Sequence, residues 1–210
     1  NDLFIRYKIK NKIKNRKKFS VIFVDLNNFK NFNKYHGFGK GDLLLSQINS
    51  VIKSNISSSD IGGYLGGDDF AIITNPKKSE SLAEDLLNQI NSEIKGFYSE
   101  LEKKNGYVAI KNNDGTSFNA PLTTTSVIVL DSEKFEVKNI NEFLDYASKL
   151  MKSAKTKNGK SIINDIDYES EKGTKKYRIG WFTVGVILLS LVFHGILAGE
   201  TTKVLSGWAE

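Results

Sequence analysis

Apolar residues recur along this chain with two different periods, and the switches between them predict its elements. Over residues 2–17, Ile5, Ile9 and Ile13 stand at i, i+4 and i+8, which predicts a helix with one apolar stripe. Residues 19–24 (Phe-Ser-Val-Ile-Phe-Val) are an apolar, β-branched run of the kind found in a strand buried on both faces, and the run ends at Asp25. After a loop, Gly41 and Asp42 precede Leu43, Leu44, Leu45, Ile48, Val51 and Ile52, again at helical spacing. A turn at 57–60 leads into a hairpin whose tip is Gly66-Gly67-Asp68-Asp69 and whose second arm runs from Phe70 to Ile73. Leu82, Leu86, Leu87, Ile90 and Ile94 predict one long amphipathic helix over 79–103. Strands are expected at 106–110 and 122–130, separated by the Asn-Asn-Asp-Gly turn at 112–115, with Pro121 leading into the second. A helix over 139–157 turns Phe143, Leu144, Ala147, Leu150 and Met151 inward, and a short strand at 161–164 is expected to close the sheet. Helices alternating with hairpins predict an α+β fold, a mostly antiparallel central sheet flanked by helices.

The last fifth of the chain follows another pattern. Residues 165–178 are polar and charged and read as a linker. Residues 179–199 then give 21 positions without Asp, Glu, Lys or Arg. As a helix they would span about 31 Å, the thickness of a bilayer's hydrocarbon core. A buried core helix is the competing reading, but so long an uninterrupted run favours a transmembrane helix. Trp181 suits an interfacial anchor, and Lys172, Lys175, Lys176 and Arg178 put the preceding domain on the cytoplasmic side of a bacterial cell membrane. Residues 200–210 would be a short external tail.

Composition narrows the chemistry. The chain of 210 residues has room for one ordinary domain and an appendage. Without cysteine there are no disulfides or thiolate metal sites, and two histidines argue against a histidine-rich centre. The net charge of +6 is concentrated early: Arg6, Lys8, Lys10, Lys12, Lys14, Arg16, Lys17 and Lys18 occur between residues 3 and 24 with no acidic residue. These charges read as a solvated helix face, with a phosphate- or membrane-surface patch as the alternative, and no nucleic-acid partner is expected.

The chemistry is expected where the acidic residues meet glycine. At the hairpin tip, Gly66 and Gly67 supply positive φ and let a phosphate approach the backbone. Adjacent Asp68 and Asp69 cannot both be stabilised as anions without a cation, so a divalent metal is the natural partner, although a solvated Gly-Asp turn is common. Asp25, at the end of a buried strand beside that tip, completes an arrangement able to hold a nucleoside triphosphate through Mg²⁺.

Four separated motifs, in order, resemble the GGDEF domain, the catalytic domain of diguanylate cyclases. Asp25-Leu26-Asn27-Asn28-Phe29-Lys30 is similar to its Asp-x-Asp-x-Phe-Lys motif, Asn33 and Asp42 to its guanine-reading pair, and Gly66 to Phe70 to its signature turn. The opening helical turn matches as well, so the resemblance runs from residue 1 to about residue 164. It implies the palm-like version of the fold and two Mg²⁺ or Mn²⁺ ions per site, held by Asp25, Asp68 and the Leu26 carbonyl. It further implies that two GTP molecules condense to cyclic di-GMP across a homodimer, with Asp68 also helping to deprotonate the attacking 3′-hydroxyl. Asp42 would accept from guanine N1 and N2 hydrogens and Asn33 would pair with the purine edge. A bound adenine would leave Asp42 buried and unpaired at a cost of ~1–3 kcal/mol, which favours guanine. Phe29, Lys30, Gly66, Gly67, Asp69 and Lys155 complete the expected substrate site; Phe29 is equally a core residue, the two lysines could be solvated, and Asn33 could be a helix cap.

The chain departs from the family pattern at several points. Asn27 replaces the usual second Asp, Asp69 the usual Glu, Tyr64 an Arg and Lys34 an Asp, and the segment from Lys155 to Lys160 is one residue longer. Ser57 stands where the Arg-x-x-Asp inhibitory site has its arginine, with Asp60 retained, so no product inhibition is expected there. Two other readings follow. One is a degenerate GGDEF domain that binds GTP or cyclic di-GMP and signals through the membrane helix. The other is a palm that makes a different cyclic nucleotide, against which Asn33, Asp42 and the Phe-Lys pair speak. Any sensory input is expected upstream.

Overall fold

The computed structural model describes residues 2–134, 139–156 and 162–164. The expected linker, membrane span and tail, 165–210, lie outside the described residues. Among the described residues no helix is long and apolar enough to cross a membrane.

The architecture is built on β1 (Ser20–Asn27), the middle strand of a five-stranded sheet ordered β2-β3-β1-β6-β7. β2 (Ile61–Gly66) and β3 (Asp69–Thr74) form the hairpin, β6 (Thr124–Asp131) flanks β1 on its other side, and β7 (Ile162–Asn164) lies at the edge. β1 pairs antiparallel with both neighbours and is buried from Ser20 to Leu26, as its β-branched and aromatic run requires. Only β7 runs parallel to its partner, β6. The palm-like, mostly antiparallel sheet therefore stands, and its last strand extends one edge.

Strand alternation divides the core in two. Ile22, Val24 and Leu26 pack with Leu44, Ile48 and Ile52 of α3 (Phe38–Asn55) and Leu82, Leu86 and Ile90 of α4 (Pro76–Lys95). Val21 and Phe23 face the other way, onto Ile5 and Ile9 of α1 (Asp2–Lys14) and Phe143 and Leu150 of α6 (Ile140–Thr156). Residue 25 has the parity of 21 and 23, so Asp25 falls on the α1/α6 side. That parity decides which groups it meets.

Three expectations need correction. The helix over 79–103 is two helices, α4 and α5 (Glu100–Asn105). α4 starts early because Asn75 caps it, accepting from the Lys77 amide at 2.9 Å, and Pro76 follows at the first helical position. It stops at Gly96, and α5 restarts behind a capping box in which Ser99 and Glu102 satisfy each other's amides. The second correction is β5 (Ser117–Pro121), which was not expected. It pairs with β4 (Tyr107–Lys111) through the 112–115 turn, forming a separate two-stranded ribbon. Four of its five residues are exposed, so it carries no alternation to detect, and Pro121 closes it instead of opening the next strand. Third, the opening helix ends at Lys14, short of residue 17, and Arg16 takes a left-handed backbone (φ +50°).

Candidate active site

The end of β1 gathers the acidic residues that the sequence singled out. Asp25 pairs in register with Asp69 of β3 on one side and with Ser126 of β6 on the other. The hairpin turns through Gly66 (φ +133°) and Gly67 (φ +66°), conformations that a Cβ would strain, and this folds Asp68 over the strand end. Tyr64 closes the turn, its hydroxyl donating to the Gly67 carbonyl at 2.8 Å. Lys155, in the last turn of α6, donates from Nζ to Asp25 Oδ2 at 2.7 Å.

Electrostatically the tip is short of positive charge. Asp25 is nearly buried, and its second oxygen, Oδ1, has no hydrogen-bond partner. The Asp69 carboxyl is raised to about 7, first by burial, then by contact with the Asp25 carboxylate and the charges of Asp25 and Asp68, against the opposing charge of Lys155. Burial, then the Asp25 charge, also raises Asp68. Two carboxylates in contact are relieved by either a proton or a cation. Among the described residues no group of three or more His, Cys, Asp or Glu side chains is placed to hold a metal ion by itself. An open site suits Mg²⁺, which binds through one or two carboxylates plus substrate phosphates. The orphaned Asp25 oxygen and the crowded Asp69 fit such an ion.

Asn27 shares the face of Asp25 but turns to β6. Its Nδ2 donates to Ser126 Oγ at 2.8 Å and Thr124 Oγ1 at 3.0 Å, and its Oδ1 accepts from Ser126 at 3.1 Å. The amide thus works as a cross-strand clamp, using a donor that a carboxylate lacks.

Asn33 lies inside α2 (Phe29–His36), not at its cap; the cap position is Asn28, at φ +62°. Its Oδ1 is buried without a partner and lies over Gly41, where a Cβ would sit 1.9 Å from it. Gly41 is therefore required by the seat of the Asn33 amide. Asp42 is exposed near the start of α3, where a bound base would cover it. Phe29 is partly buried, stacked 5.9 Å from Phe32, which bears out its packing role, while Lys30 is exposed.

A cleft of about 1100 Å³ opens beside the tip, bordered by Leu26, Phe29, Lys30, Asp68 and Lys155. Asn33 and Asp42 do not border it. Its far wall, Asn88, Asn91, Ser92 and Lys95 of α4, was not anticipated. The helical spacing of these polar residues was visible in the sequence, but asparagine is too abundant in this chain for it to stand out. Asn91 is also structural, accepting from the Thr125 amide at 3.1 Å.

Outside the cleft, Asp60 is sealed. Its side chain is 1% exposed and meets Lys78 Nζ at 2.6 Å. It also accepts from the Ser57 amide and hydroxyl at 2.8 and 2.7 Å and from Thr74 Oγ1 at 2.7 Å. Burial alone would raise its pKa, but Lys78, the Ser57 amide and the two hydroxyls outweigh it and hold the carboxyl at about 2.

A helix-flanked palm sheet with acidic residues at a Gly-Gly hairpin tip beside a polar cleft places the chain among palm-type α+β domains. The description "Diguanylate cyclase, GGDEF domain" matches residues 2–161, and the chain belongs to that family. It is 35% identical over 86 residues to MucR of Pseudomonas aeruginosa, a bifunctional diguanylate cyclase/cyclic di-GMP phosphodiesterase, covering 40% of this chain and 13% of that protein. Diguanylate cyclase A of Treponema denticola is 24% identical over 157 residues, 75% of this chain and 38% of that one. The chain thus spans well under half of either relative. Among solved structures, the GGDEF domain of YfiN (TpbB) from Pseudomonas aeruginosa has a TM-score of 0.55 at 22% identity, covering 77% of this chain and 93% of its own. The GGDEF domain of DgcB from Caulobacter crescentus, solved with c-di-GMP, has a TM-score of 0.54 at 16% identity, covering 78% and 86%. These two likenesses are of fold.

Proposed function

We propose that this domain is one half-site of a diguanylate cyclase, condensing two GTP into cyclic di-GMP with release of two pyrophosphates. The observation that carries the reading is Asp25 at the end of the central strand, with one oxygen unpartnered and Asp68 and Asp69 crowded beside it. Asp25, Asp68 and the Leu26 carbonyl would hold the ions. When bound, two Mg²⁺ or Mn²⁺ neutralise triphosphate charge and acidify the attacking hydroxyl. Asp68, whose carboxyl is raised by burial and by Asp25, takes the 3′-hydroxyl proton as that oxygen bonds to the α-phosphorus of the opposing GTP and pyrophosphate leaves. Lys30 and Lys155 meet the phosphates, Asn33 and Asp42 read the guanine, and Gly66 and Gly67 keep the tip clear of side chains. Each half-site holds one GTP, so catalysis needs a homodimer, and a bacterial membrane helix at 179–199 with the domain on the cytoplasmic side would concentrate the two halves.

A second reading, a GTP- or cyclic di-GMP-binding module without turnover, draws on the same tip: Asp69 is one methylene shorter than the usual Glu, and Asn27 is occupied in its clamp. The test is to incubate the purified protein with GTP or ATP and Mg²⁺ or Mn²⁺ and analyse the products by mass, with Asp68→Ala as control. Cyclic di-GMP from GTP alone, lost in the variant, supports the cyclase. GTP binding without product supports the module, and a product from ATP overturns both.

A further inference from the structure

Lys155 is the cation paired with Asp25, and its place matters more than its charge. Its Nζ lies 2.7 Å from Asp25 Oδ2, on the carboxylate that ends the central strand, while Oδ1 of the same group has no partner. The Asp25 side chain is 9% exposed and the Lys155 side chain 44%, so the acid is fixed in the sheet and the ammonium reaches it from solvent. The Lys155 side chain also borders the cleft.

We infer that Lys155 is a resident counter-ion that competes with the divalent cation for Asp25 and transfers to the nucleotide's phosphates when the cation binds. A divalent ion carries more charge to the same carboxylate than the ammonium does. A lysine is a compact point charge on a flexible stem, able to exchange one oxyanion for another. A doubly charged ion beside Asp25 repels the ammonium, and the triphosphate supplies its next partner in the same cleft. Lys155 therefore opposes binding of metal alone and favours binding of metal with nucleotide. This coupling makes the site prefer the metal–nucleotide complex over the free ion. The inference rests on the reading of the cleft as a nucleotide site, but its first half concerns the metal alone.

The test is Mn²⁺ binding followed by electron paramagnetic resonance on the full chain, wild type against Lys155→Met and Lys155→Arg, first with Mn²⁺ alone and then with Mn²⁺ and a non-hydrolysable GTP analogue. Removal of a partly exposed ion pair should tighten binding of Mn²⁺ alone by roughly two- to fivefold in Lys155→Met. The same variant should lose affinity for the Mn²⁺–analogue complex by a similar factor or more. Lys155→Arg, which keeps the charge, should stay close to wild type in the first measurement, so a merely structural role for residue 155 would not give this pattern. Mn²⁺ alone binding to Lys155→Met no tighter than to wild type overturns the competition. Tighter Mn²⁺ binding with unchanged analogue binding overturns the transfer. A failure of cyclase activity in every protein would count against the proposed function while leaving the metal measurement intact.

Discussion

Replacing Asp69 with Asn should stabilise the metal-free domain, and the gain should grow with pH. Asp69 has an ordinary carboxyl value of 3.8 and is raised to about 7 in the fold, first by burial and then by Asp25 and Asp68. Between these values the folded chain keeps a proton that the unfolded chain has lost, so unfolding becomes easier as pH rises. The favourable contribution is complete below pH 3.8 and is lost by the time pH passes about 7. A rise of that size corresponds to about 4 kcal/mol in full. Asp69 is only partly buried, and solvent screening reduces the expected penalty to about 1–2 kcal/mol. Asparagine imitates the protonated acid, so wild type and Asp69→Asn should be equally stable near pH 4 and differ by that amount at pH 8. Urea denaturation at unit steps from pH 4 to 8, with EDTA present, measures the difference directly. Mn²⁺ with GTP should reverse the ranking, because wild type then exchanges its proton for a cation. A gap that is constant with pH, or a variant less stable at pH 8, would refute the argument that these carboxylates crowd each other.

Two further outcomes follow from neighbouring geometry. Asp60→Ala strips a sealed carboxylate from Lys78, Ser57 and Thr74 and should cost about 2–4 kcal/mol by chemical denaturation. In wild type that contribution is present above pH 3.8 and fades as pH falls through about 2, and the sealed group should leave cyclic di-GMP no inhibitory foothold in a product-titration assay. Gly41→Ala drives a methyl into Asn33 Oδ1 and should weaken GTP binding in calorimetry at a stability cost of about 1–3 kcal/mol; unchanged affinity would remove Asn33 from the base site.

Much of this could be read from the chain because its strongest patterns were physical ones. The run ending at Asp25 announced a doubly buried strand, and a doubly buried strand fixes the depth of whatever residue ends it. The Gly-Gly turn and its two acids could be placed beside it because β1 and β3 are neighbours in register. What escaped notice lacked a local signal. β5 is almost wholly exposed, whereas the break after Ile94 did carry a signal, Gly96 followed by the Ser99/Glu102 capping box, which the long apolar stripe before it masked. The clamp of Asn27 depends on hydroxyls 97 and 99 residues away, and the Lys155–Asp25 pair spans 130 residues, separations that no periodicity reports. The exposure of Asp42 likewise depends on how α3 sits on the sheet.

The β4–β5 ribbon shares no strand pairing with the main sheet, yet it is tied to α2. Lys34 Nζ donates to Asn112 at the ribbon's turn at 2.8 Å and lies 5.1 Å above the Phe118 ring, while Val108, Ile110 and Ala120 enter the same core as Phe32. Lys34 adjoins Asn33 in the chain. The ribbon therefore acts as a splint along the helix that carries the expected base-reading amide. Changes at its solvent-facing turn, which holds Asp114 but none of the tip's carboxylates, would act on that helix and, on the proposed reading, on nucleotide preference without altering the acidic tip, which gives evolution a separate dial for selectivity.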